Sequence, residues 1–309
     1  MEIFLQQVLN GLVLGSVYAL VALGYTMVYG ILGLINFAHG EVVMIGAMVA
    51  LTVMNALAGS GVALPPQVVL AVAVMAAVGV CMALSFSIER VAYRPLRRAP
   101  RLAPLITAIG VSILLQNLAM LIWGRRYHTF PQFVSATPHS FGGASITDLQ
   151  IIIIVVCAAI MAGLLLLVQY TRLGRAMRAT AENPTVAGLM GVNINKIISA
   201  TFVIGAAMGA VAGVLVAANY SIAHYSMGFT LGLKAFTAAV LGGIGNLGGA
   251  MLGGLLLGLI ESIGAGYIGD LTGGFLGSNY QDVFAFLVLV VVLVLRPTGI
   301  MGERVAERA

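Results

Sequence analysis

Eight long apolar stretches divide the chain, at about residues 5–30, 40–58, 67–88, 104–123, 150–170, 197–219, 235–266 and 281–295. A helix needs about 20 mostly apolar residues to cross a hydrocarbon layer of roughly 30 Å, and most of these stretches meet that length. The seventh is interrupted by Gly242-Gly243-Ile244-Gly245-Asn246-Leu247-Gly248-Gly249. The pattern predicts an all-α polytopic membrane protein of eight or nine transmembrane helices, with at least one broken or re-entrant segment, in a single domain over residues 1–309. Gly205, Gly209 and Gly213 recur every four residues, as do Gly245, Gly249 and Gly253. Each row is expected to line one helix face where helices pack closely.

Composition supports this reading. The chain is 61% hydrophobic and 8% charged, against about 25% charged residues in a typical soluble domain. So few charges cannot solvate a surface, and lipid must cover most of the protein. The net charge of +5 does not indicate nucleic acid as a partner, because the basic residues fall between apolar runs, where they set orientation. Cys81 and Cys157 lie inside such runs and are expected in the core, without a disulfide or a metal. No basic residue precedes the first run, so that run is expected to remain as a span.

Arg90, Arg94, Arg97, Arg98 and Arg101 share one loop; Arg172, Arg175, Arg178 and Lys196 share another; Arg296, Arg304 and Arg308 mark the C-terminus. The excess of Lys and Arg places all three on the cytoplasmic side. The loop at 127–149 then faces outward with Arg125 and Arg126 at its edge, against the rule. Parity requires two crossings or a re-entrant hairpin within 235–266, and puts the N-terminus outside.

The segment 171–197 contains a short, well-punctuated helix. Asn183 can cap it, Pro184 suits its first position, and Gly191 can take the left-handed conformation that ends it. A helix of about two turns is not stable alone in water. Val186, Leu189 and Met190 give it an apolar side. By spacing alone, a helix seated in a cytoplasmic motor and a helix lying on the membrane surface are equally supported.

Gly174-Arg175-Ala176-Met177-Arg178-Ala179 through Ala187-Gly188-Leu189-Met190-Gly191-Val192 resembles the coupling segment of ABC importer permeases of the branched-chain amino acid class. So do Asn36-Phe37-Ala38-His39-Gly40-Glu41, Lys234 through Gly245, and the ending Arg296-Pro297-Thr298-Gly299-Ile300. The resemblance spans nearly the whole chain and is to the LivH type. It implies a translocating subunit of a bacterial inner-membrane importer, with a second homologous permease, two ABC ATPases and a periplasmic binding protein as partners. ATP and Mg²⁺ would then be bound by the ATPases, since this chain has no Gly-x-x-x-x-Gly-Lys-Ser/Thr loop. By the same resemblance, Arg175, Arg178, Glu182, Asn183, Pro184, Val186, Ala187, Gly188, Leu189 and Gly191 form the coupling surface. The general permease signature of Glu-Ala-Ala followed by Gly is met only by Ala181-Glu182 and Gly188.

Ionisable groups at membrane depth are costly and mark candidate sites. Asn36, His39 and Glu41 follow an apolar run, and Gly30, Gly33 and Gly40 permit a broken backbone there. Broken helices line substrate sites in many transporters. Asn36, His39 and Glu41, together with Gly243, Gly245, Asn246 and the mid-run Glu261, are therefore candidates for a translocation path. The alternative is that Asn36, His39 and Glu41 satisfy one another and brace the fold. Lys234 is expected to snorkel from the outer end of its helix, and Asp282 to begin the last span. His224 and Tyr225 are candidates for docking the binding protein. Rival functions are a permease for urea or short amides, an ATP-independent channel or secondary transporter, and an intramembrane enzyme. His-Glu-x-x-His and Gly-x-Ser-x-Gly are absent, which argues against the enzyme.

Overall fold

Every apolar stretch but the seventh becomes a single helix, with bounds within a few residues of those the pattern predicts; the seventh becomes two. The computed structural model describes residues 2–302 apart from 62–63, 98, 101, 135–136, 142, 274 and 276–279. Arg98, Arg101, Arg304 and Arg308 lie outside the described residues. The helices are α1 (Glu2–Leu32), α2 (His39–Gly59), α3 (Pro66–Ile88), α4 (Leu102–Trp123), α5 (Asp148–Tyr170), α6 (Arg172–Glu182), α7 (Pro184–Leu189), α8 (Ile194–Tyr220), α9 (Met227–Gly242), α10 (Leu247–Leu271) and α11 (Gln281–Leu295). Among the described residues seven helices are long and apolar enough to cross a membrane, α3 being counted with its extension to Leu96, and α9 and part of α11 form shorter apolar helices. The faces of α4 and α5 carry exposed Ile106, Ile113, Leu121, Val155 and Leu166. In water such faces would aggregate; in lipid they need no cover. The chain is a multi-pass membrane protein.

The chain separates into two compact units, one of residues 1–26, 135–161 and 234–309, the other of 27–134 and 162–233. In the second unit α2, α3 and α8 pack on one another and α4 packs on α2. A Cβ on Gly46 would fall 2.6 Å from the Ala210 Cα, and one on Gly213 would fall 2.1 Å from the Val43 carbonyl oxygen. Backbone therefore meets backbone between α2 and α8, as the Gly209/Gly213 row predicts. Without a hydrophobic drive between helices in lipid, such close packing is what holds them together. Cys81 is buried and free, its Sγ 3.3 Å from the Val42 carbonyl. Two short strands, β1 (His128–Thr129) and β4 (Ile222–Ala223), pair antiparallel. They tie the loop after α4 to the end of α8. At the other end of the unit an Arg97 Nη1–H donates to Asn195 Oδ1 at 2.6 Å, so the first two basic loops meet.

In the first unit α10 lies on the first part of α1, with Gly258 against Gly15 and Gly254 against Ala19. Strands β2 (Pro138–Phe141) and β3 (Ala144–Thr147) form a hairpin. The Ser145 N–H donates to Gln6 Oε1 at 2.8 Å, which places the start of α1 beside the start of α5. Cys157 is also buried and free. The seventh apolar stretch divides into α9 and α10, and Gly243 and Gly245 have φ of 108° and 96° between them. The second glycine row needs correction: Gly245 lies in this turn, off the helix, while Gly249 and Gly253 do pack, against Gly242 and Ala238.

Gly213→Ala is expected to destabilise the detergent-solubilised chain by about 3 kcal/mol or more, since two backbones must separate. Gly79 on α3 has open space around its Cα, and Gly79→Ala is expected to stabilise by up to about 1 kcal/mol through helix propensity. Thermal unfolding of both variants in one detergent checks the contrast.

Candidate functional site

The link between α5 and α8 contains the two-turn helix α7, and its ends are closed by local chemistry. Asn183 Oδ1 accepts from the Val186 N–H at 3.0 Å, and Pro184 occupies the first helical position. At the far end the Val192 N–H reaches the Ala187 carbonyl at 3.0 Å and the Gly191 N–H reaches Gly188 at 3.1 Å, with Gly191 at φ 85°. That pair of bonds is a Schellman closure. Ala187 is buried, whereas Val186, Leu189 and Met190 are 52%, 83% and 81% exposed. An apolar prong of this kind, held outside the long helices, has its termini satisfied but its side chains uncovered.

Helix α6 fixes where the prong stands. Thr171 Oγ1 caps it by accepting from the Gly174 N–H at 3.0 Å. Gly174 sits on the Leu167 and Val168 carbonyls, where no side chain fits. Arg178 turns back to donate to the Val168 and Gln169 carbonyls at 2.8 and 3.3 Å, and Arg175 reaches the Tyr170 carbonyl at 3.4 Å. Both guanidiniums thus cap the C-terminus of α5, where positive charge is favourable. They anchor α6 while remaining exposed. Glu182 and Gly188 remain exposed beside the prong.

A polar cluster that sequence reasoning missed lies where α8 begins. Beyond α3 the helix widens over Glu89–Tyr93 into a π turn, with the Arg94 N–H bonding the Glu89 carbonyl. Such turns often accompany functional sites. Glu89 is 1% exposed. Its carboxylate accepts from an Arg97 Nη2–H and from Ser199 Oγ, the latter at 2.7 Å. Burial lowers the Arg97 pKa from the ordinary guanidinium value, against the raising effect of Glu89. Arg97 also holds Asn195, in the first turn of α8 and four residues beyond Gly191. The sequence signal was a lone Glu entering an arginine-rich loop; one partner, Arg97, is eight residues on in that loop, but Ser199 is 110 residues away, so spacing could not reveal the cluster.

The Asn36–Glu41 motif is buried in the second unit. Residues 33–38 leave helical geometry after Gly33, at φ 63°. Gly30 and Gly40, expected to help break the backbone, are helical. Gly40 serves instead to admit α9, since a Cβ there would lie 2.5 Å from the Gly228 carbonyl oxygen. Asn36 Oδ1 accepts from Tyr93 Oη at 2.7 Å. The His39 ring lies on Gly209. Glu41, 1% exposed, accepts from Ser112 Oγ at 3.2 Å through Oε1, and its Oε2 has no hydrogen-bond partner among the described residues.

The first unit holds a second charge cluster, built around the buried Glu261. Lys234 Nζ lies 2.7 Å from Glu261 Oε1 and 2.8 Å from Asp282 Oδ1, and Tyr18 Oη donates to Glu261 at 3.3 Å. Lys234 therefore does not snorkel from a helix end. It stands mid-way along α9, held by two carboxylates, because at that depth an ion pair costs less than a lone charge. Asp282 occupies the first turn of α11 as expected. The Gly242–Gly249 break is covered by the chain's own ending: the Ile300 and Met301 N–H groups donate to the Leu241 and Gly242 carbonyls at 3.0 and 2.9 Å. Asn246 caps α10 by accepting from the Gly249 N–H at 2.9 Å, and its Nδ2–H donates to the Met301 carbonyl. Gly243 is thus buried beneath the tail, while Gly245 is exposed. His224 stacks on Tyr127 with ring centroids 4.2 Å apart and bonds Ser226 and the Arg125 carbonyl.

The family profile described as branched-chain amino acid transport system / permease component matches residues 7–293. The chain belongs to this family. It is 50% identical over 309 residues to the high-affinity branched-chain amino acid transport system permease protein BraD of Pseudomonas aeruginosa, covering 99% of this chain and 98% of that one. It is 47% identical over 310 residues to the permease protein LivH of Escherichia coli, covering 99% and 97%. The xylose/arabinose import permease protein XylH of Sulfolobus acidocaldarius is 31% identical over 196 residues, 62% of this chain and 52% of that protein. No solved structure matches the chain.

Removing one member of the Glu89–Arg97 pair strands a buried charge, so Glu89→Gln and Arg97→Gln are each expected to cost about 3–5 kcal/mol. The double variant is expected to cost much less than their sum. A double-mutant cycle on thermal stability in detergent measures the difference.

Proposed function

We propose that this chain is the translocating subunit of an ATP-driven importer for branched-chain amino acids in a bacterial inner membrane. The observation that carries the proposal is the uncovered apolar face of α7. Val186, Leu189 and Met190 project from a rigid, doubly capped helix between two spans, and such a patch is suited to a groove on another protein. The occupant is one of two ABC ATPases, which bind ATP and Mg²⁺ where this chain has no phosphate loop. A second homologous permease and a periplasmic binding protein complete the assembly, and the chain acts as one permease domain within it. The meeting of two basic loops at one end of the second unit supports a cytoplasmic α6–α7. The pairing of Gln6 with Ser145 then supports a periplasmic N-terminus, with the C-terminal tail cytoplasmic.

Motion of the ATPase enters through α7. The Schellman closure passes it to the start of α8, three residues on from Gly191. Asn195 and Ser199 carry it to Arg97 and Glu89, and so to the end of α3. Because α8 and α2 touch backbone to backbone, they move together rather than slide. Among the described residues the carboxylates of Glu41 and Glu261, one in each unit, keep a buried oxygen without a hydrogen-bond partner, Oε2 in both. These are the groups offered to the ammonium of a passing amino acid, and Asn36 and His39, of the same motif as the first, belong to the same path. Gly243, Gly245 and Asn246 supply the hinge of the α9–α10 turn. Leucine, isoleucine and valine are the cargo on the strength of relatives aligned almost end to end.

Leu189→Asp combined with Met190→Asp is expected to abolish co-purification of the ATPases and reduce leucine uptake to below roughly a tenth, with membrane insertion unchanged. Retained uptake would remove the docking role. Glu41→Ala is expected to lower uptake at least about tenfold while the ATPases still co-purify; normal transport would take Glu41 out of the path. In a strain lacking the chain, loss of urea uptake in place of leucine uptake would reassign the cargo and leave the architecture intact.

A further inference from the structure

We propose that the second unit binds an anionic phospholipid in a groove between the end of α3 and the start of α8. The groove has a volume of about 580 Å³, and its lining combines the apolar Phe86, Ala200 and Val203 with the cationic Arg90, Arg94 and Lys196 and the neutral polar side chains of Asn193, Asn195 and Ser199. Arg90 and Arg94 stand where the α3 span ends, and Lys196 lies in the first turn of α8. Among the described residues none of these three cations forms an ion pair. The nearest acid in sequence, Glu89, is buried and already committed to Arg97 and Ser199. The Arg90 guanidinium lies 6.0 Å from the Phe86 ring centroid, at the outer limit for a cation–π contact.

Charge and shape together select the occupant. Three unpaired cations at the rim of the hydrocarbon layer attract a phosphate headgroup, and the effect is roughly fivefold in binding per basic residue near an anionic surface. The apolar lining residues Phe86, Ala200 and Val203 belong to the spans themselves and suit an acyl chain. A free phosphate leaves them uncovered, and an acidic protein surface does not fill a slot at the lipid boundary. The lipid would brace the joint with Glu89 and Arg97, since Asn195 and Ser199, which bond them, themselves line the groove. The inference stands on the groove alone and does not require the proposed cargo or docking.

The test uses the intact importer, delipidated in detergent and titrated with cardiolipin, with bound lipid counted by native mass spectrometry. Arg90→Gln, Arg94→Gln and Lys196→Gln together are expected to weaken retention by roughly a hundredfold. Each single variant is expected to weaken it by a few-fold, which keeps the test decisive where the triple variant fails to assemble. Arg125→Gln with Arg126→Gln, an exposed basic pair at the other end of α4, is the control and should change nothing. Phosphatidylcholine should bind far more weakly, and inorganic phosphate should not compete. Equal binding by the variants, an equal loss in the control, or competition by phosphate would overturn the proposal. So would binding seen only after the ATPases are stripped away, since the groove would then be covered by protein.

Discussion

A chain dissolved in hydrocarbon must satisfy its polar groups from within, because no water is there to do it. That requirement organises this protein. With 8% charged residues, it places those at depth in bonded clusters: Glu89 with Arg97 and Ser199, Lys234 between Glu261 and Asp282, Asn36 against Tyr93. The glycine contacts serve the same end by another route. Where lipid offers no hydrophobic drive between helices, close backbone approach at Gly46, Gly213, Gly254 and Gly258 supplies the packing that lets the clusters form.

The exceptions then become informative. Among the described residues, an apolar prong outside the spans, cations without an ion pair at the span ends, and carboxylate oxygens buried without a donor each break the rule in a different way. On the function proposed for this chain, these are places where something else binds: the prong in a protein groove, the cations on an anion, and the oxygens to a cation passing through. Family membership agrees with the first of these, since a transport-system permease works with components it does not contain.

Features whose physics is local were readable from the sequence. Spans follow from runs of apolar residues, and the α9–α10 break from a cluster of glycines. The helix from Pro184 to Leu189 follows from Asn183, Pro184 and Gly191, each acting on its own backbone. What could not be read is long-range. Glu89 and Ser199 are far apart in sequence, and nothing near either announces the other. Lys234 looks like a surface lysine until Glu261 and Asp282 are brought to it. Arg175 and Arg178 read only as part of the coupling surface, and nothing in the sequence shows that their guanidiniums also cap α5. Gly245 fell on a four-residue spacing by coincidence, since the chain turns before α10 starts. The covering of Gly243 by Met301 depends on where the last helix delivers the C-terminus, and no local pattern encodes that.

The account depends most on α7 meeting a separate motor. A single cysteine at position 189, placed in the intact importer in inside-out vesicles and treated with a short thiol-reactive crosslinker during ATP turnover, tests this directly. The account predicts one dominant crosslinked product, joining this chain to an ATPase subunit. A residue 189 that crosslinks to nothing, or that reacts only with reagent added on the periplasmic side, would contradict it.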